Sequence, residues 1–194
     1  MRRRLRFSVL SIFLMASLYS SAVAAGNFDV DVNVLAGIQL PIPENNAEKE
    51  YLGLSGKGTF SLSQVKARML IVEVFSMYCP ICQREAPVIN DLHTLIEKDA
   101  VLKKDVKLIG IGIGNTPFEV EVYRKKFNVL FPLFADDGYE LQKISKDRFR
   151  TPTFLVTSIG PDSTLRVTKI HIGAIKNLAE FLKDVKKLLA VRGR

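Results

Sequence analysis

Met69-Leu-Ile-Val-Glu73-Val-Phe75-Ser-Met-Tyr78-Cys79-Pro-Ile-Cys82 is the stretch on which the reading of this chain turns. As far as Phe75 it is apolar apart from Glu73 and rich in β-branched residues, the pattern of a strand buried on both faces. It ends in a Cys-x-x-Cys pair, and Cys79 and Cys82 are the only cysteines of the chain. From Gln83 to about Lys98 the sequence reads as a helix with Val88, Leu92, Leu95 and Ile96 as its core stripe. A dithiol at a strand-to-helix junction suits thiol–disulfide exchange. The unpaired N–H groups and dipole of the helix N-terminus lower the pKa of the first thiol. The two-residue spacing lets the second thiol attack a mixed disulfide formed at the first.

Other uses of the pair fit less well. A structural zinc site wants four Cys or His ligands, commonly as two pairs. Only His93 and His171 are available, and neither sits beside another ligand. A structural disulfide closing so short a loop removes little entropy from the unfolded chain, so its value for stability is small.

Residues 1–25 read as a signal peptide: Arg2, Arg3, Arg4 and Arg6 precede an apolar run from Phe7 to Tyr19, and Ala22-Val-Ala24 or Val23-Ala-Ala25 offers a small-residue cleavage site. The run is short for a bilayer span, with retention by an uncleaved anchor as the lesser reading. Cleavage leaves residues 26–194 as one domain and lowers the formal charge from +8 to +4. The basicity then carries no nucleic-acid footprint, and no nucleic-acid partner is expected. Export places the cysteines in an oxidising compartment such as a periplasm.

Asn27 to Val34 alternates polar and apolar residues, a weak edge-strand pattern. Pro41 to Glu50 reads as loop, and Tyr51 to Leu62, with Gly53, Gly56 and Gly58, as a small hairpin or turn. Strands are expected at Val106–Ile113, Phe131–Phe134, Thr153–Thr157 and Leu165–Ile172. Thr116-Pro117 opens a helix with apolar positions Phe118, Val122 and Phe127. A short helix is expected from Tyr139 to about Ser145. Ile175, Leu178, Leu182, Val185 and Leu189 form the apolar face of a final amphipathic helix.

Across roughly residues 38–190 the chain resembles the thioredoxin superfamily, in particular the TlpA/ResA-like branch of exported thiol–disulfide oxidoreductases. Four features carry the resemblance: Cys79-Pro80-Ile-Cys82 at the strand-to-helix junction, Pro87 five residues after the second cysteine, Thr151-Pro152 before the strand Thr153-Phe-Leu-Val156, and Phe60-Ser-Leu-Ser-Gln64 ahead of the central strand. The resemblance implies an α/β thioredoxin fold with a mixed central sheet flanked by helices, an inserted helix–strand–helix and an N-terminal β-hairpin extension. It implies Cys79 as attacking thiolate and Cys82 as resolving thiol. Pro152 is implied as a cis-proline that, with Thr151, Tyr78 and Pro80, faces the substrate. Glu73 matches the buried acid of thioredoxin and Glu85 an active-site acid of the branch. The alternatives are a glutamate snorkelling or paired with a lysine at 73 and an exposed first-turn acid at 85. Tyr78 stands where the superfamily usually has tryptophan.

The same resemblance implies an enzyme that reduces disulfides of exported proteins, apocytochrome c among them, recharged by a transmembrane thiol carrier. No cofactor is implied beyond the redox-active Cys79–Cys82 disulfide, and a monomer is expected. A peroxiredoxin-like thiol peroxidase is the runner-up: Ser76 fits its pattern, whereas Val72 stands where proline is wanted and Pro152 where such enzymes place an arginine. A copper-binding assembly protein of the same fold is a lesser alternative, since those proteins use a wider cysteine spacing. The sequence leaves open whether the pair works as reductant, oxidant or isomerase.

Overall fold

The computed structural model describes residues 35–146 and 149–191. The signal-peptide reading of residues 1–25 and the alternating stretch 27–34 lie outside them. The framework is a five-stranded mixed sheet. β3 (Met69–Phe75) lies at its centre, between β4 (Val106–Ile113) and β6 (Thr153–Ile159), with β5 (Leu133–Asp136) and β7 (Leu165–Ile172) at the edges. β3, β4 and β5 run parallel, whereas β6 and β7 are antiparallel neighbours. All seven residues of β3 are buried, as its near-continuous apolar run requires.

β3 sorts the core by strand alternation. Met69, Ile71 and Phe75 face a layer built from α2 (Pro80–Lys98), α3 (Ala100–Asp105), α4 (Pro117–Phe127) and α6 (Leu178–Val191). Leu70, Val72 and Val74 face a second layer. That layer includes Leu40 of β1 (Gln39–Pro41), Leu52 of α1 (Asn46–Leu52), Phe60 of β2 (Thr59–Ser61) and Leu141 of α5 (Glu140–Ile144). The result is a thioredoxin fold with α4–β5–α5 inserted between β4 and β6.

Several boundaries differ from the expected ones. Residues 41–50 are not all loop. Asn45 accepts the N–H of Ala47 and caps α1, which ends at Gly53 in the left-handed region (φ 67°). Tyr51–Leu62 is no self-contained hairpin: β2 pairs antiparallel with β1 across that helix, so the N-terminal extension is a two-stranded sheet interrupted by α1. The strand expected at Phe131–Phe134 falls at Leu133–Asp136, and α3 was not anticipated. The helix after the dithiol starts at Pro80, and its buried stripe is Cys82, Glu85, Ala86, Ile89, Leu92 and Ile96; Leu95 is exposed and Val88 only half-buried. In α4 the buried residues are Val120 and Tyr123, and Phe118 is 76% exposed. The apolar spacing misjudged the phase there because the helix turns a tyrosine inward.

Gly112 of β4 marks a close approach. A Cβ there would lie 3.0 Å from the Asn115 carboxamide oxygen, 3.1 Å from the Phe75 ring and 3.2 Å from Val120. Gly112→Ala is therefore expected to destabilise the protein by about 1–3 kcal/mol through overpacking, read as a lower urea midpoint. An unchanged midpoint would show that these neighbours yield freely.

Candidate active site

The dithiol sits where β3 ends and α2 begins. Cys79 is the N-cap of α2, in extended backbone (φ −82°, ψ 113°), and Pro80 takes the first helical position, where its missing N–H costs nothing. The Cys79 sulfur accepts the N–H of Cys82 at 3.3 Å and lies 3.3 Å from the Thr151 carbonyl oxygen, to which its thiol donates. The Thr151–Pro152 peptide bond is cis. Both thiols are free, Cys79 half-buried and Cys82 fully buried.

Their environments push the two thiols apart. Burial pushes the Cys79 thiol up, but hydrogen bonds from the Cys82 and Thr151 side chains and from the N–H groups of Cys82 and Ile81 outweigh it, holding the pKa below the ordinary cysteine value. Cys82 is raised well above that value. Desolvation is the main cause, reinforced by the hydrogen bond to Cys79 and by the negative charges of Cys79 and Glu73.

Glu73 lies on the α2-facing side of β3, flanked in the sheet by Gly110 and Phe154. It is 2% exposed, and its Oε1 has no hydrogen-bond partner among the described residues. It neither snorkels nor pairs with a lysine there. Desolvation, then the charges of Glu85 and Cys79, push its pKa up from 4.5 to about 8. Glu85 is buried as well, so the exposed first-turn alternative does not hold. Its Oε1 accepts the N–H of Ile175 at 2.5 Å. Burial raises its pKa, opposed by that bond and by His171. Glu85 thus ties α2 to the turn before α6, and it acts on Glu73 through charge. His171, near the end of β7, reaches the same turn with a ring nitrogen 3.1 Å from the Ala174 carbonyl oxygen. His93 is half-buried beside the rings of Tyr51 and Phe131.

Three contacts around the dithiol were not foreseen. The buried Tyr123 hydroxyl donates to the Cys82 carbonyl oxygen at 2.9 Å, and its ring packs 4.7 Å from Phe75. The Asn115 side chain accepts the N–H of Met77 at 2.8 Å. Gln83 donates to the Met77 carbonyl oxygen at 2.7 Å. An unexpected polar residue at the end of a glycine-rich strand was the available signal for Asn115. Nothing in the spacing pointed to Tyr123. Among the described residues no group of three or more His, Cys, Asp or Glu is placed to hold a metal ion.

Comparison with known proteins agrees with this geometry. The Redoxin family model matches residues 41–186. The thiol-disulfide oxidoreductase ResA of Geobacillus thermodenitrificans is 21% identical over 127 residues, covering 64% of this chain and 67% of that protein. The crystal structure of StoA from Bacillus subtilis superposes with a TM-score of 0.50 at 21% identity, covering 68% of this chain and 90% of that one. A putative thiol:disulfide interchange protein DsbE from Chlorobium tepidum superposes with a TM-score of 0.56 at 12% identity, covering 78% of this chain and 92% of that one.

The buried acid has a consequence for stability. Between pH 4.5 and about 8 the folded state keeps the Glu73 proton and the unfolded chain releases it. Stability from this group is thus complete below the unfolded value and is lost as pH rises through the folded one. The loss is at most about 1.4 kcal/mol per pH unit. Glu73→Gln is expected to flatten this decline in urea unfolding followed from pH 5 to 8. An identical pH dependence in the variant would place the carboxyl in a wetter site.

Proposed function

This chain belongs to the Redoxin family and is a thiol–disulfide oxidoreductase, and on that premise we propose that it is an exported reductant of protein disulfides. The placement of the two thiols carries the reading: Cys79 caps α2 half-buried with the Cys82 N–H on its sulfur, and Cys82 is fully buried behind it. Cys79, partly exposed and activated, attacks one sulfur of a substrate disulfide. A mixed disulfide forms, and the other substrate sulfur leaves with the bond's electron pair. Cys82 then loses its proton and attacks Cys79, which forms the Cys79–Cys82 disulfide and expels the second substrate thiolate. A thiol carrier in the membrane would return two electrons to the pair. Disulfides of exported proteins, apocytochrome c among them, are the proposed substrates and a periplasm the proposed compartment. The charged and apolar N-terminal pattern supports export. Among the described residues no helix is long and apolar enough to cross a membrane.

Glu73 is the proposed acceptor of the Cys82 proton. Part of its raised pKa comes from the charge on Cys79. That charge disappears once Cys79 is bound in the mixed disulfide, so Glu73 ionises more readily at the step that needs a base. The peroxidase reading has less support. Val72, in its proline position, is fully buried and paired with Ile109 and Leu155 inside the sheet.

Trapping tests the roles. Cys82→Ser is expected to accumulate stable mixed disulfides with exported proteins, and Cys79→Ser none; equal trapping by both variants would overturn the assignment. In stopped-flow reduction of a model disulfide, Glu73→Gln is expected to slow release of the mixed disulfide about 10- to 100-fold, with little effect on the first attack. An unchanged pH profile in that variant, alongside a changed one in Glu85→Gln, would move the proton relay to Glu85.

A further inference from the structure

One hydrogen bond beside the dithiol has no part in the exchange steps. Tyr78, immediately before Cys79, is 65% exposed, and its hydroxyl donates to Oε1 of Glu119 on the first turn of α4. A phenol this open to water has no need of a protein partner. Glu119 is already committed to its own helix. Its Oε2 accepts the N–H of Thr116 at 2.7 Å and the Thr116 hydroxyl at 3.0 Å. The Thr116 oxygen accepts the Glu119 N–H at 3.3 Å, which completes a reciprocal capping box. One carboxylate oxygen is thus fixed by α4, and the other is offered across to Tyr78.

The segment leading into Cys79 is held from two sides. Asn115, just ahead of α4, takes the Met77 N–H, and Gln83 of α2 takes the Met77 carbonyl. Glu119 extends that grip to the side chain of the next residue. The hydrogen bond holds the Glu119 carboxyl below its usual range and the Tyr78 phenol above its own. Near neutral pH the donor therefore stays protonated and the acceptor ionised. The apolar surface beside the thiol continues to Ile81, 42% exposed in the first turn of α2.

We propose that Glu119 is a positioning residue for substrate binding: it clamps the Tyr78 phenol, so that the ring stands as a fixed wall beside the Cys79 thiol for the polypeptide next to a substrate disulfide. A ring already immobilised loses less freedom when substrate docks, so the clamp acts on binding. The apolar Tyr78–Ile81 surface favours a segment with an apolar residue adjacent to its cysteine. The proposal rests on the thiol–disulfide reading and adds to it a residue from the inserted helix.

The test uses pre-reduced protein mixed with an excess of a peptide closed by one disulfide, with leucine next to one cysteine. The half-saturating peptide concentration and the limiting rate are read separately. Tyr78→Phe keeps the ring and removes only its hydroxyl. It is expected to raise half-saturation about five- to tenfold while the limiting rate stays within about twofold. Glu119→Gln should shift half-saturation in the same direction. The double variant should lose no more than Tyr78→Phe alone, because both changes act on one interaction, which glutamine weakens to a neutral hydrogen bond. Thr116→Ala removes one of the two bonds on the far Glu119 oxygen but leaves the Glu119–Tyr78 pair, so its half-saturation should rise less than in Glu119→Gln. Half-saturation unchanged in Tyr78→Phe, or shifted as far by Thr116→Ala as by Glu119→Gln, would overturn the positioning role. Failure of the unaltered protein to reduce the peptide at all would instead sink the reductant reading on which it rests.

Discussion

The N–H of Cys82 aimed at the sulfur of Cys79, 3.3 Å away, is the contact on which the site depends. It exists because α2 begins directly after Cys79, with Pro80 preset for the first helical position. A sulfur at a helix N-terminus meets N–H donors that have no carbonyl partner within the helix, and these favour the thiolate. The second cysteine, one turn further on, points into the layer between α2 and the sheet, where the Ser76 N–H offsets only part of the cost of its burial. The helix start favours the Cys79 thiolate and burial keeps Cys82 protonated, and the proposed roles of attacker and resolver rest on that difference. The sheet keeps the junction rigid: β3 is buried on both faces and hydrogen-bonded on both edges.

Glu73 is the cost of this arrangement and, in the proposed exchange, the acceptor of the Cys82 proton. A carboxyl in the centre of an apolar strand, with one oxygen unpartnered, stabilises nothing as an ion. Its placement makes sense as a group that changes its proton affinity with the state of Cys79. Glu85 shows how the same residue type takes another part in the same layer. It has an N–H partner in Ile175, and it joins α2 to the chain entering α6. Two neighbouring acids thus divide into a carboxyl with a free oxygen behind the dithiol and a carboxyl tied to backbone.

Much of the framework was legible in the sequence because it rests on strong local patterns. β3 declares itself by a run that is apolar but for Glu73, and α4 by Thr116-Pro117 at its start. The dithiol and Thr151-Pro152 are short motifs whose meaning depends on position, and the fold places them 3.3 Å apart from sulfur to carbonyl. The failures have physical causes. Asn46–Leu52 is a seven-residue helix with a single buried residue, so it carries no periodic apolar signal, and Asn45 and Gly53 define it through capping alone. Tyr123, Asn115 and Glu119 reach the site from 38 to 41 residues away in sequence, by tertiary contacts that no spacing rule encodes. Helix α4 was phased incorrectly because its buried face includes a tyrosine whose hydroxyl finds a carbonyl inside the core.

The inserted α4 is therefore more than a spacer in the sheet crossover. It supplies the hydroxyl that holds the Cys82 carbonyl, the carboxamide before it that holds Met77, and the carboxylate that holds Tyr78. The loop carrying Cys79 is thereby bound to α4 and to the residue just ahead of it as well as to its own helix. The helix start at Cys79 and the burial of Cys82 together separate the two thiols in acidity. The most direct measurement is a pH titration of the reduced protein with 13Cβ-labelled cysteine, followed by NMR. Cys79 should titrate below the range of a free thiol, about 8.5, and Cys82 should show no midpoint up to about pH 10. Two overlapping midpoints near that of free cysteine, or a lower midpoint at Cys82, would contradict the account.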